Sequence, residues 1–157
     1  QIGDRMKITF KKEKGWWPWQ RRNLAERVAH HATHMAELIP ANAHRDFFYD
    51  IKLKVIFTKF KNAYGDAYGF EDDPTSYEIR LSSTASDKRL VQTIYHEMCH
   101  IKQFYFEGLE LGDTPVWKGE TFSNTEYWNA PWEVEARKFE KKCWRIWKKS
   151  LDFEGRF

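Results

Sequence analysis

The run from Ser83 to Gly108 most strongly limits the fold, because it places an H-E-x-x-H motif within apolar residues at helical spacing. Residues four apart lie one turn apart on the same face of a helix, so His96 and His100 can reach one cation. Glu97 lies beside them, where a carboxylate outside the coordination sphere can act as general base toward a metal-activated water. The motif predicts a helix that carries a catalytic metal site.

The two faces of this helix differ in polarity. One face is apolar and consists of Leu90, Ile94, Met98, Ile101 and Tyr105. The opposite face is polar and consists of Thr93, His96, His100, Gln103 and Glu107. This segregation predicts that the apolar face is buried and that the histidines lie in solvent or along a cleft. It favours a metal site over a chance spacing of two histidines.

Composition narrows the class of protein. The chain has 157 residues, with 41% hydrophobic and 31% charged content, which suits one folded domain. The net charge of +3 gives no general nucleic-acid signature. Cys99 and Cys143 follow no disulfide or zinc-finger spacing and indicate a reducing compartment. Since no apolar run reaches membrane-spanning length, we expect a cytoplasmic monomer without membrane contact.

Periodicity predicts the other elements. A helix is expected over Asn23 to Leu38, before Pro40. Strands are expected over Met6 to Phe10, Ile51 to Phe57, Ala67 to Phe70 and Tyr77 to Leu81. Short turns separate the last three strands, which predicts a small, mostly antiparallel sheet. The expected class is α+β, with residues 1–22 as an N-terminal extension and 23–157 as a single domain.

A final helix is predicted to begin at Pro131, which suits the first turn of a helix. Its apolar stripe comprises Trp132, Ala136, Phe139, Cys143 and Trp147. The segment between residues 109 and 130 is too polar and too often interrupted by Gly and Pro for one regular element. The helix is rich in basic residues, for which a solvated face is the simplest interpretation.

Catalytic zinc sites usually have three protein ligands, so a third ligand is needed. The metzincin extension is excluded because Gln103 and Phe106 stand where it needs Gly and His, and no histidine follows His100. A carboxylate is therefore expected. Glu133 and Glu135, at the start of the last helix, flank its apolar stripe on opposite sides, and periodicity leaves the choice between them open.

A second pair of histidines, His30 and His34, is also spaced by four residues. It has no intervening acid in the H-E-x-x-H order. We interpret both as ordinary helix-face histidines rather than as a second metal site.

The segments His96–His100, Trp117–Gly119, Tyr127–Trp128 and Pro131–Ala136 together resemble small H-E-x-x-H metallopeptidases of phage and bacterial genomes. These are gluzincins of minimal size, sometimes called minigluzincins. The resemblance covers roughly residues 50 to 145, and the combination is more specific than H-E-x-x-H alone. It implies a protein of a bacterium or of an infected host cell.

The resemblance implies a zincin-like fold with a backing helix, a small sheet, an active-site helix and a glutamate-bearing helix. By this resemblance Glu133 is the third ligand and Glu135 the second choice. The strand that pairs with an extended substrate would correspond to Tyr77–Leu81. Larger gluzincins often carry an aspartate four residues after the ligand glutamate, but Arg137 stands there, which leaves the support of the ligands open.

The expected activity is zinc-dependent hydrolysis of peptide or protein substrates, with one Zn²⁺ per chain and Glu97 as general base. Tyr127, just upstream of the glutamate helix, is a candidate for stabilising the oxyanion, although a buried aromatic role is the simpler interpretation. The aromatic segments 16–19 and 153–157 are candidates for covering the cleft in a resting form.

Two alternatives remain open at the level of sequence. The first is a non-catalytic, metal-stabilised binding or accessory protein, for which Glu97 would be dispensable. The second is a DNA-associated protease resembling the SprT-like group, which would use the basic last helix and bind DNA in a salt-sensitive manner.

Overall fold

A computed structural model of the protein describes residues 6–12, 19–40, 43, 45–60, 64–123 and 129–153. These residues form an α+β fold, as predicted. In chain order its strands and helices are β1 (Lys7–Lys12), α1 (Trp19–Ala32), β2 (Lys52–Thr58), β3 (Gly65–Phe70), β4 (Asp73–Ser82), α2 (Asp87–Glu107), β5 (Val116–Trp117), β6 (Glu120–Thr121) and α3 (Pro131–Phe153). Short 3₁₀ turns occur at Ala36–Leu38 and Arg45–Asp50.

The main sheet is mixed, and its strand order is β1-β2-β4-β3. The pairs β1/β2 and β2/β4 are parallel, and only β3/β4 is antiparallel. The prediction of a mostly antiparallel sheet is therefore wrong. Alternation of apolar residues predicts a strand and its buried face but not its partner. After the turn that follows β3, the chain returns between β2 and β3 instead of adding a strand outside them.

The buried face of the sheet agrees with the predicted alternation. Leu53, Val55 and Phe57 of β2 lie opposite Tyr77, Ile79 and Leu81 of β4, and all six side chains are buried. They pack with the apolar residues of α2 into one core. Burial of this row holds the sheet against α2, because each large apolar side chain removed from water contributes about 1.5–3 kcal/mol.

The edge of the sheet differs from the expectation. The strand predicted to pair with a substrate, Tyr77–Leu81, lies inside β4, which has β2 on one side and β3 on the other. Among the described strands, β1 and β3 form the edges. Gly65 lets β3 approach α2 closely, since a Cβ there would lie 2.6 Å from both Arg80 O and Thr93 Cγ2. The edge strand β3 therefore passes beside the helix that carries the motif.

The α2 helix lies within the run from Ser83 to Gly108 and is capped at both ends. The Ser86 side chain accepts a hydrogen bond from the Arg89 backbone N–H, and Gly108 closes the helix in the left-handed conformation at φ 64°. Four of the five predicted core residues are buried, but Tyr105 is 37% exposed, so its assignment to the core is wrong. Gln103, on the predicted polar face, is fully buried because α3 covers that face.

The first helix is shorter at its C-terminal end than predicted. α1 spans Trp19–Ala32, whereas Asn23–Leu38 was expected. The Thr33 hydroxyl donates to the His30 carbonyl at 2.6 Å, and the chain then leaves the helix and forms the 3₁₀ turn at Ala36–Leu38. β1, within the residues 1–22 assigned as an extension, pairs in register with β2 and belongs to the sheet.

The segment between α2 and α3 contains a short hairpin formed by β5 and β6. Its turn uses positive φ at Lys118 (53°) and Gly119 (78°). The Trp117 ring packs edge to face against Trp132 at the start of α3, with ring centroids 6.2 Å apart. The hairpin thus joins the end of α2 to the start of α3.

Within the described residues, none of the helices has both the length and the apolar character required to cross a membrane.

Candidate metal centre

The start of α3 places the third candidate ligand. Pro131 is the first helical residue, and the Ala130 carbonyl accepts hydrogen bonds from the backbone of Glu133 and Val134. The predicted apolar stripe is confirmed, since all five of its members are buried. With the stripe against the core, Glu133 in the first turn points to α2 and is 3% exposed.

Glu133 lies between the two histidines of the motif. One of its carboxylate oxygens, Oε1, is 3.0 Å from His96 Nε2, and the other, Oε2, is 2.8 Å from His100 Nε2. The ligand atoms of the three residues all lie within 4.8 Å of one another. This is the only such group of three or more His, Cys, Asp or Glu residues in the part of the chain that the structure describes.

Glu135 lies outside the metal cluster, although it also contacts α2. Its Oε1 accepts hydrogen bonds from Lys102 Nζ at 2.6 Å and from Gln103 Nε2 at 3.0 Å. The described group that could hold a metal therefore includes Glu133 and not Glu135. Residues two apart on a helix point in directions about 200° apart, so only one of the two glutamates can face the histidines.

The other ring nitrogen of each histidine also has a partner. His96 Nδ1 is 2.9 Å from Glu140 Oε1, and His100 Nδ1 is 2.7 Å from Gln103 Oε1. In both cases an acceptor lies against Nδ1 and leaves Nε2 directed at Glu133, an arrangement that would favour the Nδ1–H tautomer when Nε2 binds a metal. Gln103 is itself held by the Trp132 carbonyl at 3.0 Å.

Sequence reasoning did not assign these two supporting residues. A signal for Glu140 was present, because it follows Glu133 by seven residues and two full turns place it on the same face. Glu140 supports the candidate metal ligand His96, a role for which larger gluzincins often have an aspartate at the position of Arg137. Gln103 was assigned to the histidine face, but its contact with His100 was not predicted.

The histidines and carboxylates of the cluster stabilise each other's charged forms. Burial alone would lower the pKa of His96, but hydrogen bonds with Glu133 and Glu140 outweigh it and raise the pKa to about 10. Burial alone would also lower the pKa of His100. The hydrogen bond with Glu133 and the nearby charge of Glu97 outweigh burial, so the pKa of His100 is raised as well. For Glu133, the bonds from His100 and His96 outweigh burial and lower its pKa to about 2. Without metal, the cluster is a charged hydrogen-bonded group.

Glu97 is buried beside this group. It is 4% exposed, and no described residue forms a hydrogen bond with its Oε2. Burial raises its pKa to about 7, although the nearby charges of His100 and His96 oppose the shift. A buried carboxylate oxygen without a partner is costly, so its presence beside the cluster suggests a bound water or ion as its partner.

The donor set fits a divalent zinc ion. Two imidazole nitrogens and one carboxylate match the ligands of catalytic zinc sites, which keep one further position open. Tetrahedral ligand atoms about 2.0–2.1 Å from zinc lie about 3.3 Å from one another. Glu133 contacts the two histidines at 3.0 and 2.8 Å through different carboxylate oxygens, and the ligand atoms of all three residues lie within 4.8 Å of one another, near enough to converge on one ion.

Some of the remaining candidate residues are not described by the structure, and the described ones lie outside the cluster. Tyr127 and residues 16–18 and 154–157 lie outside the described part of the chain, so their predicted roles stay predictions. Trp19 is the first residue of α1 and is 60% exposed. His30 lies 3.8 Å from Glu26 on the same helix, and no described group of three ligands includes it.

Comparisons of the chain with protein-family models, with curated proteins and with solved structures gave no match. Function is therefore inferred from the residues of the cluster and their surroundings.

Proposed function

We propose that this chain is a zinc-dependent metallopeptidase and that its α+β domain is a reduced zincin-like fold. The observation that carries the proposal is the convergence of His96, His100 and Glu133 beside the buried, unpaired Oε2 of Glu97. The resemblance of the H-E-x-x-H and glutamate helices to small gluzincins supports it. Non-catalytic zinc sites are usually closed by four protein ligands, whereas three ligands with an adjacent carboxylate are typical of hydrolytic sites.

Each residue has a distinct role in the proposed reaction. His96, His100 and Glu133 would hold the ion, and Glu140 and Gln103 would keep the two imidazoles in the ligating tautomer. Zinc, when bound, supplies electrophilic polarisation of the peptide carbonyl and lowers the pKa of water. Glu97 would accept the proton from the attacking water and deliver it to the amine nitrogen of the leaving group. Tyr127 remains the candidate for oxyanion stabilisation.

The activity of Glu97→Gln tests the proposal. This change keeps the shape of the side chain but removes the base, so we expect peptide hydrolysis to fall about 10²–10⁴-fold. Zinc content should stay at about one per chain, since Glu97 is not a ligand. Glu26→Gln is the matched control, because Glu26 is an exposed helical glutamate away from the cluster, and it should keep full activity.

One result would contradict the peptidase assignment, and another would contradict the role of Glu97. If the zinc-loaded parent hydrolyses no member of a broad peptide mixture, the alternative of a metal-stabilised binding protein is favoured. If Glu97→Gln and the parent hydrolyse peptides at equal rates, Glu97 is not the base.

The arrangement of charges on α3 keeps a nucleic-acid-associated peptidase as a second candidate. The acids Glu133, Glu135 and Glu140 are all engaged by residues of α2. The basic residues Lys138, Lys141, Lys142, Arg145, Lys148 and Lys149 are exposed. This exposed face is therefore predominantly cationic, which favours contact with phosphates. DNA binding that weakens steeply between about 50 and 200 mM salt would support this candidate, and absence of binding at low salt would exclude it.

A further inference from the structure

A cleft of about 640 Å³ lies between β3, the β3–β4 turn and the end of α2. Phe104 forms part of its wall and lies one helical turn after His100. The two rings are 6.4 Å apart between centroids. Phe104 therefore lies between the cleft and the second histidine of the metal cluster.

Three of the apolar side chains that line the cleft are exposed. Tyr68, Phe70 and Leu111 all line it and are 36%, 40% and 56% exposed. Behind them, the rings of Tyr77 and Phe104 stack with centroids 6.4 Å apart. Isolated exposed apolar residues are common, but three around one cleft next to a reactive cluster indicate a binding surface for a large apolar group.

The charged residues that line the cleft are all acidic: Glu71, Asp73 and Glu110. Asp73 is paired with Lys52 at 2.8 Å, whereas Glu71 and Glu110 are exposed to solvent. No Lys or Arg is among the described residues that line the cleft. An apolar wall with an acidic rim is complementary to an apolar group next to a positive charge.

The position of β3 defines the form of the ligand. Among the described strands, β3 pairs only with β4, and its other edge is open. Ala67 to Phe70 of this strand line the cleft. An exposed strand edge binds extended peptides through main-chain hydrogen bonds, while adjacent pockets select side chains.

We infer that this cleft is a specificity site for an extended peptide substrate, and that it binds a large apolar or aromatic side chain next to Lys or Arg. The inference rests on the proposed peptidase function and goes beyond it by naming the substrate class. Phe104 forms the inner wall beside the metal cluster, Phe70 and Leu111 contact the apolar side chain, and Glu110 faces the basic residue.

Cleavage of a peptide mixture by the zinc-loaded full chain tests the inference. The probe is a mixture of synthetic peptides with all residues equally represented at each position, and mass spectrometry identifies the cleaved bonds. We expect Phe, Tyr or Leu to be enriched at one position near the cleaved bond, with Lys or Arg enriched next to it. If bonds are cleaved without this pair of preferences, the inference fails but the proposed function stands. If no bond is cleaved, both fail.

Leu111→Ala tests the apolar wall. It should lower kcat/KM about tenfold for the preferred aromatic peptide and leave it unchanged for the same peptide with Ala in place of the aromatic residue. Ile146→Ala is the matched control, since Ile146 is a 38% exposed aliphatic residue on α3, away from the cleft. An equal loss for both peptides, or no loss for either, would contradict the assignment of Leu111.

Glu110→Lys tests the acidic rim. It should lower kcat/KM for the Lys-containing peptide and raise it for the matched Glu-containing peptide, with a change in their ratio of about tenfold. Glu120→Lys, an exposed reversal of the same charge outside the lining of the cleft, should leave the ratio unchanged. Binding of both peptides to zinc-loaded Glu97→Gln, measured by calorimetry, should show the same ratio. A ratio unaffected by Glu110→Lys would overturn the rim assignment.

Discussion

Two regions of this protein carry histidines four residues apart, yet only the pair in α2 belongs to a described group of three ligand residues. His96 and His100 both lie within α2 and face a carboxylate delivered by α3. His30 lies near the end of α1, and His34 is beyond that end, so the two no longer share a helical face. The spacing supplies two donors, but a second element must supply the third.

The surroundings also shift the pKa values of histidines in the two regions in opposite directions. Burial, followed by the nearby charge of His34, lowers the pKa of His31 in α1. The carboxylates of Glu133 and Glu140 instead raise the pKa of His96 to about 10 in the metal-free protein. Imidazoles in α2 are thus surrounded by acids that favour a bound cation, whether that cation is a proton or a metal ion.

Removal of the third ligand should have the largest effect. Glu133→Ala leaves two histidines, which rarely hold zinc tightly, so we expect zinc affinity to fall on the order of 10³-fold. Calorimetric titration and metal content by mass spectrometry measure the change. Glu135→Ala is the control and should keep about one zinc per chain, since Glu135 pairs with Lys102. Loss of zinc in the control with retention in Glu133→Ala would reverse the assignment of the third ligand.

Loss of the supporting carboxylate should have a smaller effect. Glu140→Gln keeps the size of the side chain but weakens the acceptor for His96 Nδ1–H, and we expect zinc affinity to fall about 10–100-fold. The equivalent change beside the α1 histidine, Glu26→Gln, should leave zinc affinity unchanged. Equal affinities of Glu140→Gln and the parent would show that the contact does not support the ligand.

The smallest expected effect is the pH dependence contributed by His31. Since its pKa is lowered in the folded state, its neutral form contributes stability fully above the unfolded value of 6.5, and this contribution is lost as pH falls below 6.5. Its Nδ1 lies 2.6 Å from the Tyr95 hydroxyl. The free energy of unfolding of the metal-free parent should therefore decrease, relative to that of His31→Gln, from pH 7 to pH 5. A difference that stays constant, or grows toward low pH, would contradict this assignment.

Much of the local structure follows from sequence because the relevant forces act over a few residues. Alternation predicted the buried rows of β2 and β4, and apolar spacing within the run from Ser83 to Gly108 predicted the α2 helix. The end of α1 was predicted too late, because Met35 and Leu38 continue the apolar spacing although the chain leaves the α-helix after Ala32. Apolar spacing predicts which side chains are buried, and a 3₁₀ turn can bury the same side chains as an α-helix.

The sequence by itself determined that two imidazoles and a neighbouring carboxylate share one helix, since the spacing of the motif on α2 is a local property. Only the tertiary structure decided that Glu133 faces the histidines, that Glu135 pairs with Lys102, and that Glu140 supports His96. It also decided that β3 is an edge of the sheet and that β4 is central. These features depend on the rotation of α3 against α2 and on strand partners distant in sequence, which the packing of the core sets and local periodicity does not encode.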